Sequence, residues 1–128
     1  MITVGWHTNL VNPKDRGLVV DECYALPETR SLGLLADDVL SWAADRGLLD
    51  GDPRVQTLKL VEEVGELARA QLRGDINEAM DAIGDCTVVL TILSHMLGTT
   101  LRNCLQGAVD TITPRTGIMV NGVFIKDE

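Results

Sequence analysis

The 128-residue chain has few aromatic residues, few cysteines and fewer basic residues than acidic ones. Phe, Trp and Tyr together make up only 3%, so Leu, Val, Ile and Ala must fill the core. None of the three cysteines has a metal-binding spacing such as CxxC, which favours a reducing compartment. The net charge of −8 argues against a nucleic-acid partner, because such a partner requires a basic face.

The chain also lacks a long uninterrupted hydrophobic run. Its N-terminus has no basic region followed by an apolar stretch, so it does not resemble a secretory signal. The longest apolar stretch, residues 86–97, is too short to cross a bilayer. With 45% hydrophobic and 23% charged residues, the composition is typical of one soluble globular domain. We therefore expect a cytoplasmic protein without a membrane partner.

Residues 1–30 mix Gly, Pro, Asn and charged residues, which predicts an N-terminal arm that is irregular or partly extended. From residue 31 to residue 128 the pattern predicts a helical domain. Each of its four helices is predicted to begin at a capping residue and to stop at a terminating residue. The first runs from Ser31 to Gly47, the second from Asp52 to Gly74, the third from Asp75 to Gly98, and the fourth from Thr99 or Thr100 to about Thr113. The dipeptide Asn121-Gly122 predicts a short C-terminal β-hairpin at about 117–126. The predicted fold class is all-α, resembling a four-helix bundle.

Two of these elements need more cover than a small domain offers. The third predicted helix is apolar nearly all round from Ile83 to Leu97, and such a helix must be covered on every side. An isolated two-stranded hairpin is marginally stable, so it must dock on the helices or pair with another chain. Both features predict a homo-oligomer.

Carboxylates are concentrated on the second and third predicted helices, at Glu62, Glu63, Glu66, Asp81 and Asp85. Residues three or four apart share a helix face. Glu66 precedes Gly74 by eight residues, and Asp81 and Asp85 follow it by seven and eleven. At roughly 1.5 Å of rise per residue, two antiparallel helices would place these groups at similar height. We refer to the five residues as the acidic cup.

The acidic cup predicts a divalent metal site. Carboxylates at the start of an apolar run are costly to bury, and like charges at this spacing repel. Mg2+ takes oxygen ligands and keeps positions for phosphate oxygens, and Mn2+ is an alternative ion. Such a site is typical of hydrolysis at phosphorus. The structural alternative is a solvated helix face, on which Glu62 and Glu63 pair with Lys59.

Three runs carry a family resemblance: WAADRGLLDGDPRVQTLKLVEEVGEL, DAIGDCTVVLTIL and RTGIMVNGVFIKDE. Together they resemble the MazG-like nucleoside triphosphate pyrophosphohydrolases, over roughly residues 34–128. The resemblance implies an all-α NTP pyrophosphatase fold assembled as a homodimer or homotetramer. It also implies a nucleotide substrate, with dNTPs expected, that Mg2+-dependent hydrolysis converts to nucleoside monophosphate and pyrophosphate.

The carboxylates of this chain match most of the family's acidic motif. Glu62, Glu63 and Glu66 match its EExxE, and Asp85 matches the aspartate on the next helix. Many relatives carry a glutamate three residues before that aspartate, where this chain has Ala82.

Two arrangements compensate for this departure. Asp81 forms DxxxD with Asp85, or Glu78 and Asp81 spell ExxD one turn earlier. We favour the first, because Asp85 lies deeper in the apolar run. The expected metal ligands are therefore Glu63, Glu66, Asp81 and Asp85.

Further roles are hypotheses based on the position and chemistry of each side chain. Glu62, with Glu63, is expected to be catalytic and to orient or deprotonate the attacking water. Lys59, Arg115 and Lys126 are candidates for holding phosphates, since cations suit this role. Arg115 has the alternative of an inter-subunit salt bridge. Trp42 either stacks on the base or packs in the core, and core packing is the commoner role of such a tryptophan.

Other functions are compatible with the same residues. A phosphoribosyl-ATP pyrophosphatase shares the helical fold and acidic motifs, and an alarmone or modified-nucleotide hydrolase would use a similar site. A non-catalytic helical oligomeric scaffold would keep the acidic cup as a structural metal site. Turnover of nucleotides separates these alternatives.

Overall fold

The structure is a computed structural model that describes residues 30–128. The predicted N-terminal arm lies outside the described residues except for Arg30. The elements in chain order are α1 (Leu32–Asp45), a 3-10 turn (Leu48–Asp50), α2 (Pro53–Arg73), α3 (Ile76–Met96), α4 (Leu101–Ile112), β1 (Gly117–Val120) and β2 (Val123–Lys126). The predicted all-α class with a short C-terminal hairpin is confirmed for these residues.

Each helix begins at a side chain that accepts a backbone N–H from its first turn. The four acceptors are Ser31, Asp52, Asp75 and Thr100, with donor–acceptor distances of 3.3, 2.9, 3.0 and 3.0 Å. Such caps satisfy donors that have no partner within the helix. Ser31, Asp52 and Asp75 were predicted as N-caps, and Thr100 is the one of the two predicted starts, Thr99 or Thr100, that caps the fourth helix. Pro53 occupies the first position of α2 as predicted. The fourth helix ends at Ile112, one residue before the predicted Thr113.

The connection between α2 and α3 is short enough to make them antiparallel neighbours. Gly74 adopts a left-handed conformation with φ 68°, which glycine reaches without steric cost, and Asp75 already caps α3. The two helices then pack against each other along their length, in the most extensive contact of the described chain. Residues equidistant from Gly74 on the two helices are therefore brought to the same level.

Helix α3 is the central element of the described chain. It packs against α2, α1, the 3-10 turn and α4. The buried apolar residues are Ala43, Ala70, Ala82, Val89 and Ile92. By length and composition alone, α3 is also the one described helix that could cross a bilayer, a test that the core helix of a bundle often passes.

The hairpin has the predicted turn. Val120 pairs with Val123, so the loop is Asn121-Gly122, and both residues have positive φ, 49° and 79°. This is the combination that a type I′ turn requires. The hairpin has no substantial packing against the described helices, and its six central side chains, on both faces, are exposed.

Candidate functional site

Three of the predicted carboxylates converge where α2 and α3 face each other. One oxygen from each of Glu63, Glu66 and Asp85 lies within 4.8 Å of the other two. We call these three residues the carboxylate cluster. Glu63 is only 6% exposed, which is unusual for a charged side chain, whereas Glu66 is exposed. The cluster therefore opens toward solvent on one side and is closed by packed helices on the other.

Small residues allow the two helices to approach closely at this point. Ala70 on α2 is 0% exposed, and Ala82 on α3 is 3% exposed. Each lies within four residues of a member of the cluster on its own helix. Because alanine adds little bulk to the helix interface, these two buried residues favour close packing of α2 on α3 beside the cluster.

Lys59 neutralises part of the acidic cup. Its ammonium nitrogen lies 3.0 Å from a carboxylate oxygen of Glu63 and 3.2 Å from one of Glu62. Bonding to Glu63, and then to Glu62, raises the pKa of Lys59 above its ordinary value. The pairing proposed as the structural alternative is thus present, and it coexists with the carboxylate cluster. Glu62 is exposed and lies outside the cluster.

The electrostatics around Asp85 favour a positive charge at the cluster. Burial raises the pKa of Asp85, and the charges of Asp81 and then Glu63 raise it further. Lys59 opposes this shift but does not cancel it. A carboxylate that is hard to ionise beside other carboxylates is stabilised in its charged form by a nearby cation.

The donor set fits a hard divalent cation. It consists of carboxylate oxygens alone. Mg2+ and Ca2+ prefer such oxygen ligands, whereas softer metals prefer sulfur or nitrogen ligands. Two oxygens bound about 2.1 Å from Mg2+ are at most roughly 4.2 Å apart, so separations of up to 4.8 Å need only small side-chain adjustments. Three protein ligands also leave coordination positions for water or for other oxygen ligands.

Replacing Asp85 with Asn should stabilise the metal-free protein. The pKa of Asp85 is raised in the folded state, so ionisation of this carboxyl lowers the free energy of unfolding. This destabilisation is absent below the ordinary pKa of 3.8 and grows as pH rises toward the folded-state pKa. We expect Tm in EDTA to rise by about 1–4 °C at pH 7, the scale of one like-charge helical pair, and by nothing near pH 3.5. Scanning calorimetry at both pH values measures the difference. An equal change at both would contradict the assignment to ionisation.

Asp81 and Glu78 lie beside the cluster and not in it. Both line a cavity of about 180 Å³ together with Glu66, Arg69, Arg73 and Ala82. The predicted fourth ligand Asp81 thus acts on the cluster through its charge on Asp85, and its role as a ligand stays a prediction. The two arginines were not among the residues predicted from the sequence. Their spacing of three and seven residues from Glu66, which places them on one helix face, was the available signal.

The remaining predicted substrate residues lie on other elements. Trp42 on α1 is 46% exposed, and the Arg46 guanidinium lies 4.4 Å from the centroid of its ring. Arg115 precedes β1, and Lys126 ends β2. Within residues 30–128, neither forms an ion pair, and neither lines the cavity beside the cluster. Their roles stay predictions.

Comparison with known proteins finds one similar phage protein. The chain is 41% identical over 61 residues to an uncharacterized 18.2 kDa protein in the rep-hol intergenic region of Haemophilus phage HP1 (strain HP1c1). The match covers 47% of this chain and 37% of the phage protein, so the chain spans well under half of that relative's length. No protein-family model matches the chain. No solved structure matches it either.

Proposed function

We propose that this protein hydrolyses nucleoside triphosphates, with dNTPs as the expected class, to nucleoside monophosphate and pyrophosphate. Mg2+, or Mn2+ in its place, would be held by Glu63, Glu66 and Asp85, with Asp81 nearby. The observation that carries the proposal is the convergence of these three carboxylate oxygens within 4.8 Å across two helices. The MazG-like resemblance adds the substrate class and the all-α NTP pyrophosphatase fold.

The residues of the chain divide the work of this reaction. Bound Mg2+ would supply positive charge that withdraws electron density from the phosphate oxygens. Glu62 is exposed beside the cluster, where it orients the attacking water or takes its proton. Lys59 holds Glu62 and Glu63 in place through its two ion pairs. Its availability for phosphate therefore depends on release from these pairs.

Turnover of a nucleotide panel tests the proposal. The panel holds the eight common NTPs and dNTPs, dUTP, ITP, phosphoribosyl-ATP and ppGpp, each with Mg2+ or with EDTA, and products are resolved by anion exchange. We expect pyrophosphate and monophosphate from a nucleoside triphosphate, only with Mg2+. Turnover of phosphoribosyl-ATP or ppGpp alone would assign the site to those rivals. No turnover by folded, Mg2+-bound protein would leave the scaffold function.

We further propose that the protein is a cytoplasmic homodimer or homotetramer. Within the described residues the substantial packing of α2 is on α3, and several of its apolar side chains are exposed. Val55, Leu58 and Val61 are 59%, 71% and 66% exposed. The hairpin is apolar on both faces and equally uncovered. Contiguous apolar surface of this kind is typical of protein–protein interfaces.

Replacing Leu58 with Glu should weaken the oligomer. A charge buried in an apolar interface is costly, so we expect the dissociation constant to rise at least about tenfold. Sedimentation equilibrium across a dilution series measures it. The matched control is Thr57→Glu, which adds the same charge at the neighbouring exposed position. Equal effects of the two substitutions would contradict an interface at Leu58.

A further inference from the structure

The cavity beside the carboxylate cluster contains unpaired positive charge. Arg69 and Arg73 line it together with the carboxylates of Glu66, Glu78 and Asp81. Within residues 30–128, neither arginine lies within 4.0 Å of a carboxylate oxygen, although other cations of the same helix form such pairs. A guanidinium is always charged and presents several donors in a planar fork. Two such groups at one cavity are equipped to bind an anion with several oxygens.

The cavity and the cluster share Glu66, so they are adjacent. Arg69 lies three residues and Arg73 seven residues beyond Glu66 on α2. With a rise of 1.5 Å per residue, these positions are about 4.5 and 10.5 Å along the helix from Glu66. Helical side chains lean toward the N-terminus, so both arginine side chains lean back toward Glu66. A polyphosphate held at the cluster by one phosphate and directed toward Gly74 would therefore run along the helix face that carries both arginines.

The charge balance makes this cavity sensitive to the metal. Without a cation, the three carboxylates of the cavity outnumber its two guanidiniums. A divalent ion at the cluster would neutralise Glu66, so two guanidiniums would then face two carboxylates and the cavity would no longer carry a net negative charge that repels an anion. Anion binding at the cavity should therefore require the ion first.

We propose that this cavity binds the pyrophosphate half of the substrate, with Arg69 and Arg73 contacting its β- and γ-phosphate oxygens. The proposal rests on the proposed function and adds the orientation of the substrate, with its pyrophosphate half at the cavity. The water oxygen bonds to the α-phosphorus, and the bond from that phosphorus to the bridging oxygen breaks. Pyrophosphate leaves with that electron pair into the arginine-lined cavity, and the proton of the water passes to a carboxylate or to solvent. The nucleoside lies on the opposite side of the cluster from Gly74.

Calorimetric titration of the full chain with inorganic pyrophosphate tests the proposal without turnover. In Mg2+ we expect Arg69→Gln and Arg73→Gln each to weaken pyrophosphate binding about 10-fold or more, as expected for loss of a charged hydrogen-bonding partner. Titration with Mg2+ alone should be unchanged in both. Arg69→Lys and Arg73→Lys should recover only part of the affinity, since lysine keeps the charge and loses the fork. In EDTA the wild type should not bind pyrophosphate.

The matched control is Arg102→Gln, which removes the same charge from the separate groove between α1 and α4. Circular dichroism melts identify any variant that fails to fold. If a glutamine variant does not fold, pyrophosphate binding by Arg69→Lys and Arg73→Lys tests the proposal in its place. Pyrophosphate binding unchanged in all arginine variants would overturn the cavity assignment and leave the proposed function standing. Wild-type protein that binds neither Mg2+ nor pyrophosphate would overturn both. Weakening by Arg102→Gln equal to that of the cavity variants would overturn the cavity as the site.

Discussion

Replacing Glu66 with Gln should lower nucleotide turnover at least about 100-fold while the protein stays folded. The substitution keeps the size of the side chain and removes one of three converging negative charges. Glu66 is exposed, so its loss leaves no cavity in the core. Glu66 also lines the arginine cavity, so in the proposed reaction its loss should affect both metal binding and phosphate placement. Asp85→Asn should have an effect of similar size.

Initial-rate kinetics and Mg2+ titration on the same preparations measure this effect. The matched control is Glu128→Gln, the same chemical change at the last residue of the chain, which should leave turnover and Mg2+ affinity unchanged. Full turnover by Glu66→Gln would contradict a catalytic metal at the cluster. Loss of thermal stability in Mg2+ for both cluster variants, without any turnover by the wild type, would assign the metal a structural role.

Replacing Lys59 with Met should destabilise the metal-free protein and make it more dependent on Mg2+. Lys59 is the partner of Glu63, whose carboxylate is nearly buried. Without Lys59, that carboxylate has lost its cation, and buried polar groups without partners are costly. We expect Tm in EDTA to fall by on the order of 5 °C. Because the ion binds only the folded state, saturating Mg2+ should raise the Tm of both proteins. We expect it to raise the Tm of Lys59→Met by more than it raises the Tm of the wild type.

Differential scanning calorimetry with EDTA and with Mg2+ separates the two contributions. Lys59→Arg should stay close to wild type, since it keeps a cation within reach of Glu63. Lys126→Met removes a lysine from the exposed end of the hairpin and should shift Tm equally little under both conditions. Equal Mg2+ stabilisation of Lys59→Met and wild type would show that the ion does not replace Lys59 as the partner of Glu63.

The helices were predictable because their signals are local. Ser31, Asp52, Asp75 and Thr100 each cap their own helix, and a cap depends on atoms only two or three residues away. The hairpin was predictable for the same reason, since Asn121-Gly122 adopts the turn conformation that few other dipeptides reach. What covers the open faces of α2 and of the hairpin was not readable from such signals, because it depends on surfaces that meet from distant parts of a chain or from another chain.

Sequence features alone predict the two antiparallel helices and the similar height of the five carboxylates along them. Helical rise and the short turn at Gly74 are enough for that. The packing of the two helices decides which of these carboxylates converge. Glu63, Glu66 and Asp85 meet, while Glu62 faces solvent with Lys59, and Asp81 joins the cavity of Arg69 and Arg73. The rise per residue sets only the height of a side chain along its helix. Which side chains touch depends on the rotation of each helix about its own axis and on how the helices pack at the buried residues Ala70 and Ala82. Neither the rotation nor the packing follows from the rise per residue.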